Sequence, residues 1–122
     1  TNTAFHNGLM VDERCSDTGL DDIGWYCGNA QERSYPVAGL AANSWGLHDM
    51  SGNTWEWVWD RYGAYNGDAT DPTGPPAGDV RVIRGGGWYS LARECRSANR
   101  GGEAPEYRSG DVGFRVARTE FR

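Results

Sequence analysis

Trp55, Trp57 and Trp59 stand two residues apart, with Thr54, Glu56, Val58 and Asp60 interleaved. A period of two belongs to an extended strand, whose successive side chains point to opposite faces. The spacing predicts a strand within residues 52–60, with three indoles on one face and Glu56 on the other. No competing helical period appears elsewhere. Apolar residues do not recur at helical spacing over any long stretch, and glycine, present 18 times, cuts the chain into short pieces. Such a sequence closes on turns and a few large aromatic anchors rather than on packed helices.

The remaining segments fit that picture. Residues 1–40 read as mostly irregular, with turns at Asn7-Gly8 and Asp17-Thr18-Gly19, and Pro36-Val37 reads as extended. Residues 43–50 hold a short turn. Residues 61–79 form a long loop punctuated by Asp71-Pro72, Gly74-Pro75-Pro76 and Gly78. Residues 80–84 alternate again and predict a second strand. Gly85-Gly86-Gly87 then marks a flexible turn or a close backbone approach. Residues 88–89 and 96–100 read as extended pieces, 101–110 as a loop and 112–118 as the final strand. The expectation is one domain over residues 1–122, α+β or mainly β, with little regular secondary structure.

Charge excludes some partners. The net charge is −5, whereas phosphate-backbone binding needs concentrated positive charge, so nucleic acid is not an expected partner. Lysine is absent, all 12 basic residues are arginine, and nine of them lie from Arg81 onward. Arginine stacks on aromatic rings and forks onto carboxylates, so the cluster reads either as structural stacking and pairing or as a site for an anionic ligand. No apolar run reaches the roughly 18 residues of a membrane-spanning helix. Thr1–Asn7 has neither the basic start nor the apolar centre of a signal peptide, and the chain does not begin with Met. That beginning suits a processed product, an expressed portion or a fragment.

Cysteines fall at 15, 27 and 95, an odd number that rules out complete internal pairing. Cys15 and Cys27 flank a short Asp- and Gly-rich segment and read as a disulfide closing a loop worth about 3 kcal/mol in the chain-entropy model. A reducing cytosol would open it, so the pair favours a periplasmic or extracellular location.

Four ordered stretches carry a family resemblance. They are Asn43-Ser44-Trp45-Gly46-Leu47-His48-Asp49-Met50-Ser51-Gly52-Asn53-Thr54-Trp55-Glu56-Trp57, Arg81-Val82-Ile83-Arg84-Gly85-Gly86-Gly87-Trp88, Arg96-Ser97-Ala98-Asn99-Arg100 and Gly113-Phe114-Arg115. In order and spacing they resemble the formylglycine-generating-enzyme, or sulfatase-modifying-factor, family. The resemblance runs from about Thr3 to the end of the chain. It implies a C-type-lectin-like fold with little regular structure. It also implies a further N-terminal portion, so the chain is either the later part of a longer protein or a reduced version of the fold.

The resemblance also implies sites. The family's enzyme oxidises a sulfatase cysteine to formylglycine with oxygen and copper(I) held by two cysteines. Copper(I) is soft and prefers thiolates. The first of those positions is Ser90 here, whose hydroxyl is hard and stays protonated at neutral pH. The second falls on Cys95 if the alignment has no gap; an alignment following Arg96-Ser97-Ala98 places Cys95 elsewhere, and either way one thiol remains. The competing reading makes Cys95 a small, semi-buried packing residue.

A family calcium site corresponds to a side chain at Asp49, backbone carbonyls at Gly52 and Thr54, and the carboxylate of Glu56. Calcium takes about six to eight hard oxygen ligands, carbonyls and carboxylates among them. The competing reading pairs Glu56 with an arginine and uses Asp49 to cap a turn. A second family calcium site would fall near residues 17–25, where the match is loose and names no ligands. His6 and His48 form no metal pattern. Trp25, Trp88 and Tyr89 read as core anchors or as the lining of a ligand groove.

The expected function is therefore a non-catalytic binding or sensor module, stabilised by calcium. Its loops at 61–79 and 101–110 would face an unidentified small-molecule or protein ligand. The alternative is a formylglycine-generating oxidoreductase whose copper site, at Cys95, is completed by the missing N-terminal portion or by another chain.

Overall fold

In the computed structural model, residues 3–63 and 78–117 are described. Four short strands form one mixed sheet: β1 Trp55–Arg61, β2 Arg81–Arg84, β3 Arg100–Glu103 and β4 Val112–Gly113. Their order is β3-β2-β1-β4. β1 and β3 both run antiparallel to β2, and β4 runs parallel to β1. A single helical turn, α1, covers Thr18–Asp21, and a 3-10 turn covers Ala92–Cys95. The remaining described chain is irregular, as the α+β reading with little regular structure expects.

β1 forms where the alternating tryptophans predicted it, but the alternation does not survive along the whole strand. Trp57 pairs with Ile83, and the next pair is Arg61 with Arg81, so β1 takes four steps where β2 takes two. This bulge re-aims the side chains beyond Trp57. Trp59 is 79% exposed, with the Arg81 guanidinium 5.2 Å over its ring. Trp55 instead lies against Gly87 and Gly101. The three indoles are therefore not buried alike: Trp55 and Trp57 are half-buried and Trp59 is exposed.

Three further expectations are corrected. Residues 101–103 belong to a strand, β3, rather than to a loop, and glycine there lets neighbouring side chains close in. A Cβ at Gly102 would lie 2.7 Å from both the Tyr62 Cγ and the Val80 Cγ1 atoms. Residues 96–99 turn rather than extend, with Asn99 N donating to Arg96 O at 3.1 Å. The last strand is confined to Val112–Gly113, and Phe114 and Val116 beyond it are exposed. The expected 61–79 loop lies mostly outside the described residues.

The principal core lies in the irregular part. Phe5, Leu20, Ile23, Tyr26, Ala92 and Cys95 are buried together, with Ala4, Met10 and Cys27 packed against them. α1 is positioned by Asp17, whose Oδ1 accepts from Leu20 N at 2.8 Å. Asp17 Oδ2 accepts from Val11 N at 2.6 Å and Asp12 N at 3.0 Å. Burial opposes ionisation of this carboxyl, but backbone N–H donors outweigh it and hold the pKa below its ordinary value. The Tyr26 hydroxyl donates to Asp21 Oδ1 at 2.8 Å, and burial together with that carboxylate raises its pKa.

Cys15 and Cys27 are joined in a disulfide, as the sequence predicted. The ends of the closed loop, with the two residues before Cys15, dock on the segment after Gly87. Arg14 O accepts from Ala92 N at 2.7 Å, Glu13 O accepts from Arg93 N at 3.0 Å, and Cys27 N donates to Ser90 O at 3.0 Å. The N-terminal layer and the 90–95 segment are therefore built as one unit. No helix among the described residues is long and apolar enough to cross a membrane.

Candidate functional site

The two positions that matter for copper, 90 and 95, lie within this unit. Ser90 is buried, its Oγ accepts from Gly87 N at 2.9 Å, and its own N–H donates to Gly87 O at 3.0 Å. The hydroxyl is thereby tied into a tight turn. Cys95 is fully buried in the core rather than semi-buried. A Cβ at Gly86, whose φ is +70°, would lie 2.5 Å from the Cys95 sulfur. Glycine is therefore the residue that lets this backbone pass over the thiol. Burial, reinforced by the neighbouring Glu94 carboxylate, pushes the thiol pKa up to about 12. One protonated, enclosed thiol and one hydrogen-bonded hydroxyl do not fit copper(I), which calls for thiolates.

The four positions tied to calcium converge better. Asp49, Gly52, Thr54 and Glu56 line a single cavity of about 380 Å³, together with Ala38 and Arg115. The loop that delivers them is held in unusual backbone conformations, with φ at +55° for Asp49, +84° for Gly52 and +70° for Asn53. Left-handed non-glycine residues persist only where surrounding contacts fix them. Here those contacts are Gly52 N donating to Gly85 O and Asn53 N donating to Trp25 O, each at 2.6 Å. The Asn53 side chain also bridges the backbone of Tyr35, accepting from its N–H at 3.0 Å and donating to its carbonyl at 3.1 Å.

Asp49 is buried, and its two carboxylate oxygens differ. Oδ2 accepts from Ala38 N at 2.9 Å, whereas Oδ1 is buried with no hydrogen-bond partner among the described residues. A buried carboxylate oxygen without a donor is costly. A hard cation in the adjoining cavity would satisfy it, so the residues present fit calcium. Glu56 accepts from Arg115 Nε at 2.6 Å, and Arg115 Nη2 donates to Asp49 O at 3.0 Å. The turn-capping and arginine-pairing roles are thus both present alongside the calcium-compatible arrangement. Among the described residues no group of three or more His, Cys, Asp or Glu side chains gathers. Calcium here would rely on two carboxylates and backbone carbonyls.

Arg115 is the site residue that the sequence reading passed over. It appeared only inside the Gly113-Phe114-Arg115 stretch, 59 residues from its partner Glu56. His48 serves the loop, its Nδ1 lying 2.8 Å from Leu40 O. Trp25 stacks on Tyr35 with ring centroids 3.8 Å apart, and Trp88 Nε1 donates to Gly110 O at 3.0 Å, while Tyr89 is 67% exposed. Trp25 and Trp88 are thus engaged in internal contacts, and Tyr89 remains at the surface.

The sulfatase-modifying factor enzyme 1-like domain matches residues 6–120. The chain is similar to the serine/threonine-protein kinase pkn1 of Chlamydia caviae, 36% identical over 120 residues, covering 87% of this chain and 19% of that protein. It is similar to the formylglycine-generating enzyme of Streptomyces coelicolor, 38% identical over 88 residues, covering 67% of this chain and 28% of the enzyme. Among solved structures, the Treponema denticola variable protein 1 superposes with a TM-score of 0.76 at 34% identity, over 81% of this chain and 37% of that one. The chain thus spans between a fifth and two-fifths of the length of these relatives. Matched over nearly its whole length, the chain belongs to the family of the sulfatase-modifying factor enzyme 1-like domain.

Proposed function

We propose that this chain is a non-catalytic binding module, built on the family's loop-rich scaffold and stabilised by calcium at Asp49, Gly52, Thr54 and Glu56. The observation that carries the non-catalytic reading is the pairing of Ser90 with Cys95. A hydroxyl tied to Gly87 N stands at the first thiol position, and the remaining thiol is sealed beneath Gly86. The likeness to a protein kinase supports a role in which the domain recognises rather than transforms a ligand. For calcium, the support is the buried Asp49 Oδ1, without a hydrogen-bond partner among the described residues, on a residue that lines one cavity with Glu56. The disulfide suits a periplasmic or extracellular setting.

A second reading keeps the chemistry of the formylglycine-generating enzyme it is similar to, with the copper site completed by other polypeptide. Cys95, five residues after Ser90, favours it. The two readings separate in one assay. The protein is supplied with copper(I), oxygen and a cysteine-containing sulfatase peptide, and the peptide mass is followed. The binding-module reading expects no conversion by the wild-type chain and conversion by neither Cys95→Ala nor Ser90→Cys. Conversion by the wild-type chain that is lost in Cys95→Ala would establish the second reading.

A further inference from the structure

A second cavity, of about 560 Å³, shares the Glu56–Arg115 pair with the first as part of its lining. Its size falls within the roughly 300–1,000 Å³ of small-molecule sites. Several separate segments build it: Trp57 comes from β1, Arg84 from β2, Trp45 from the turn before Gly46, Arg96 from just after the 3-10 turn, and Arg115 from beyond β4. Two features set it apart. Trp45 is 86% exposed in a turn, an indole left facing solvent at the cavity wall beside Trp57. The charge is also inverted relative to the chain. Arg84, Arg96 and Arg115 line it with one carboxylate, Glu56, in a protein of net charge −5, and Arg84 is itself engaged, donating from Nη1 to Ser97 O at 3.2 Å.

We propose that this cavity binds a carboxylate carried on a flat apolar group, such as an aryl-substituted acid. The guanidinium fork matches a carboxylate in two parallel hydrogen bonds, and the indoles offer faces for a ring to stack on. Arg96 has its Nε bonded to the carbonyl of Arg93 at 2.7 Å, and both of its Nη groups remain for a ligand among the described contacts. Arg115 is half engaged with Glu56 and Asp49 O and supplies field more than a fork. An anionic group is also drawn to an arginine-lined concavity, while the aromatic wall selects against small hydrophilic anions. This assignment does not depend on calcium and does not depend on whether the chain is catalytic.

The test uses 2-naphthylacetate as probe, with 2-naphthylacetamide and acetate as controls, by titration calorimetry on the full chain. The carboxylate is expected to bind at least about tenfold more tightly than the neutral amide, and acetate alone to show no measurable binding. Arg96 and Trp45 are both exposed, so Arg96→Gln and Trp45→Ala leave the fold in place, which circular dichroism checks. Each should weaken the naphthylacetate affinity by roughly fivefold. Equal binding of acid and amide, or an affinity unchanged in both variants, would overturn the proposal.

Discussion

Changing Cys15 and Cys27 together to serine tests how much of the fold depends on the N-terminal layer. The disulfide closes a loop with a sequence separation of 12. In the chain-entropy model, freeing a loop of that length gives back about 9.5 cal/mol/K to the unfolded chain, or about 3 kcal/mol at 25 °C. Unfolding entropy scales as about 2.1 cal/mol/K per residue, so a 122-residue chain changes its melting temperature by about 4 °C for each kcal/mol. The expected drop is therefore about 12 °C. The native state amplifies the local effect, because both ends of the loop are tied to the 90–93 segment: Arg14 and Glu13, just before Cys15, accept from Ala92 N and Arg93 N, and Cys27 N donates to Ser90 O. Thermal unfolding followed by circular dichroism measures it, with non-reducing mass spectrometry confirming the bond in the parent protein. Cys95 is then the sole remaining cysteine, so mispairing within the variant does not confuse the result. A drop below about 3 °C with the bond intact in the parent would refute the reasoning, since it would mean the loop is ordered without its crosslink.

Three other outcomes are expected. Glu56→Gln should weaken calcium binding by about tenfold or more in calorimetric titration, because it removes one of two charged ligands and leaves Arg115 without its partner. Gly86→Ala should lower stability by about 1–3 kcal/mol in urea unfolding, because its Cβ would meet the Cys95 sulfur at 2.5 Å with φ at +70°. Cys95 should resist iodoacetamide between pH 7 and 9 unless the protein is first unfolded. The folded thiol keeps its proton up to about 12, whereas the unfolded thiol ionises near 9.0, so this group's contribution to stability is intact below pH 9 and lost as pH rises beyond it. Urea unfolding of the parent and Cys95→Ala at pH 8 and pH 10 measures that difference.

How much of this was legible in the sequence depended on whether a feature was local. The alternation around Trp57 and Ile83 identified β1 and β2, because both strands pair across their regular stretch. The bulge that exposes Trp59 could not be read, since it arises from the register against β2. β3 was hidden by its composition. Gly101-Gly102-Glu103 reads as a loop until Ile83, Tyr62 and Val80 are seen packing where side chains would stand. α1 was masked by Thr18-Gly19, a turn signal that the Asp17 cap overrides. At the site, Asp49, Gly52, Thr54 and Glu56 were named from the family resemblance, and they line one cavity. Arg115, drawn in from beyond β4, was not, because no spacing rule links residues that meet only through the fold. The cavity holding Trp45 and Arg96 was illegible for the same reason, although the clustering of arginine after Arg81 hinted at an anion site.

The central claim, a calcium-stabilised scaffold without the copper chemistry, is tested most directly by measuring the metal content of the protein purified without chelator, using elemental mass spectrometry. The account predicts stoichiometric calcium, reduced in Asp49→Asn and Glu56→Gln, and no copper. Stoichiometric copper that disappears in Cys95→Ala, or the absence of calcium from the parent protein, would contradict it.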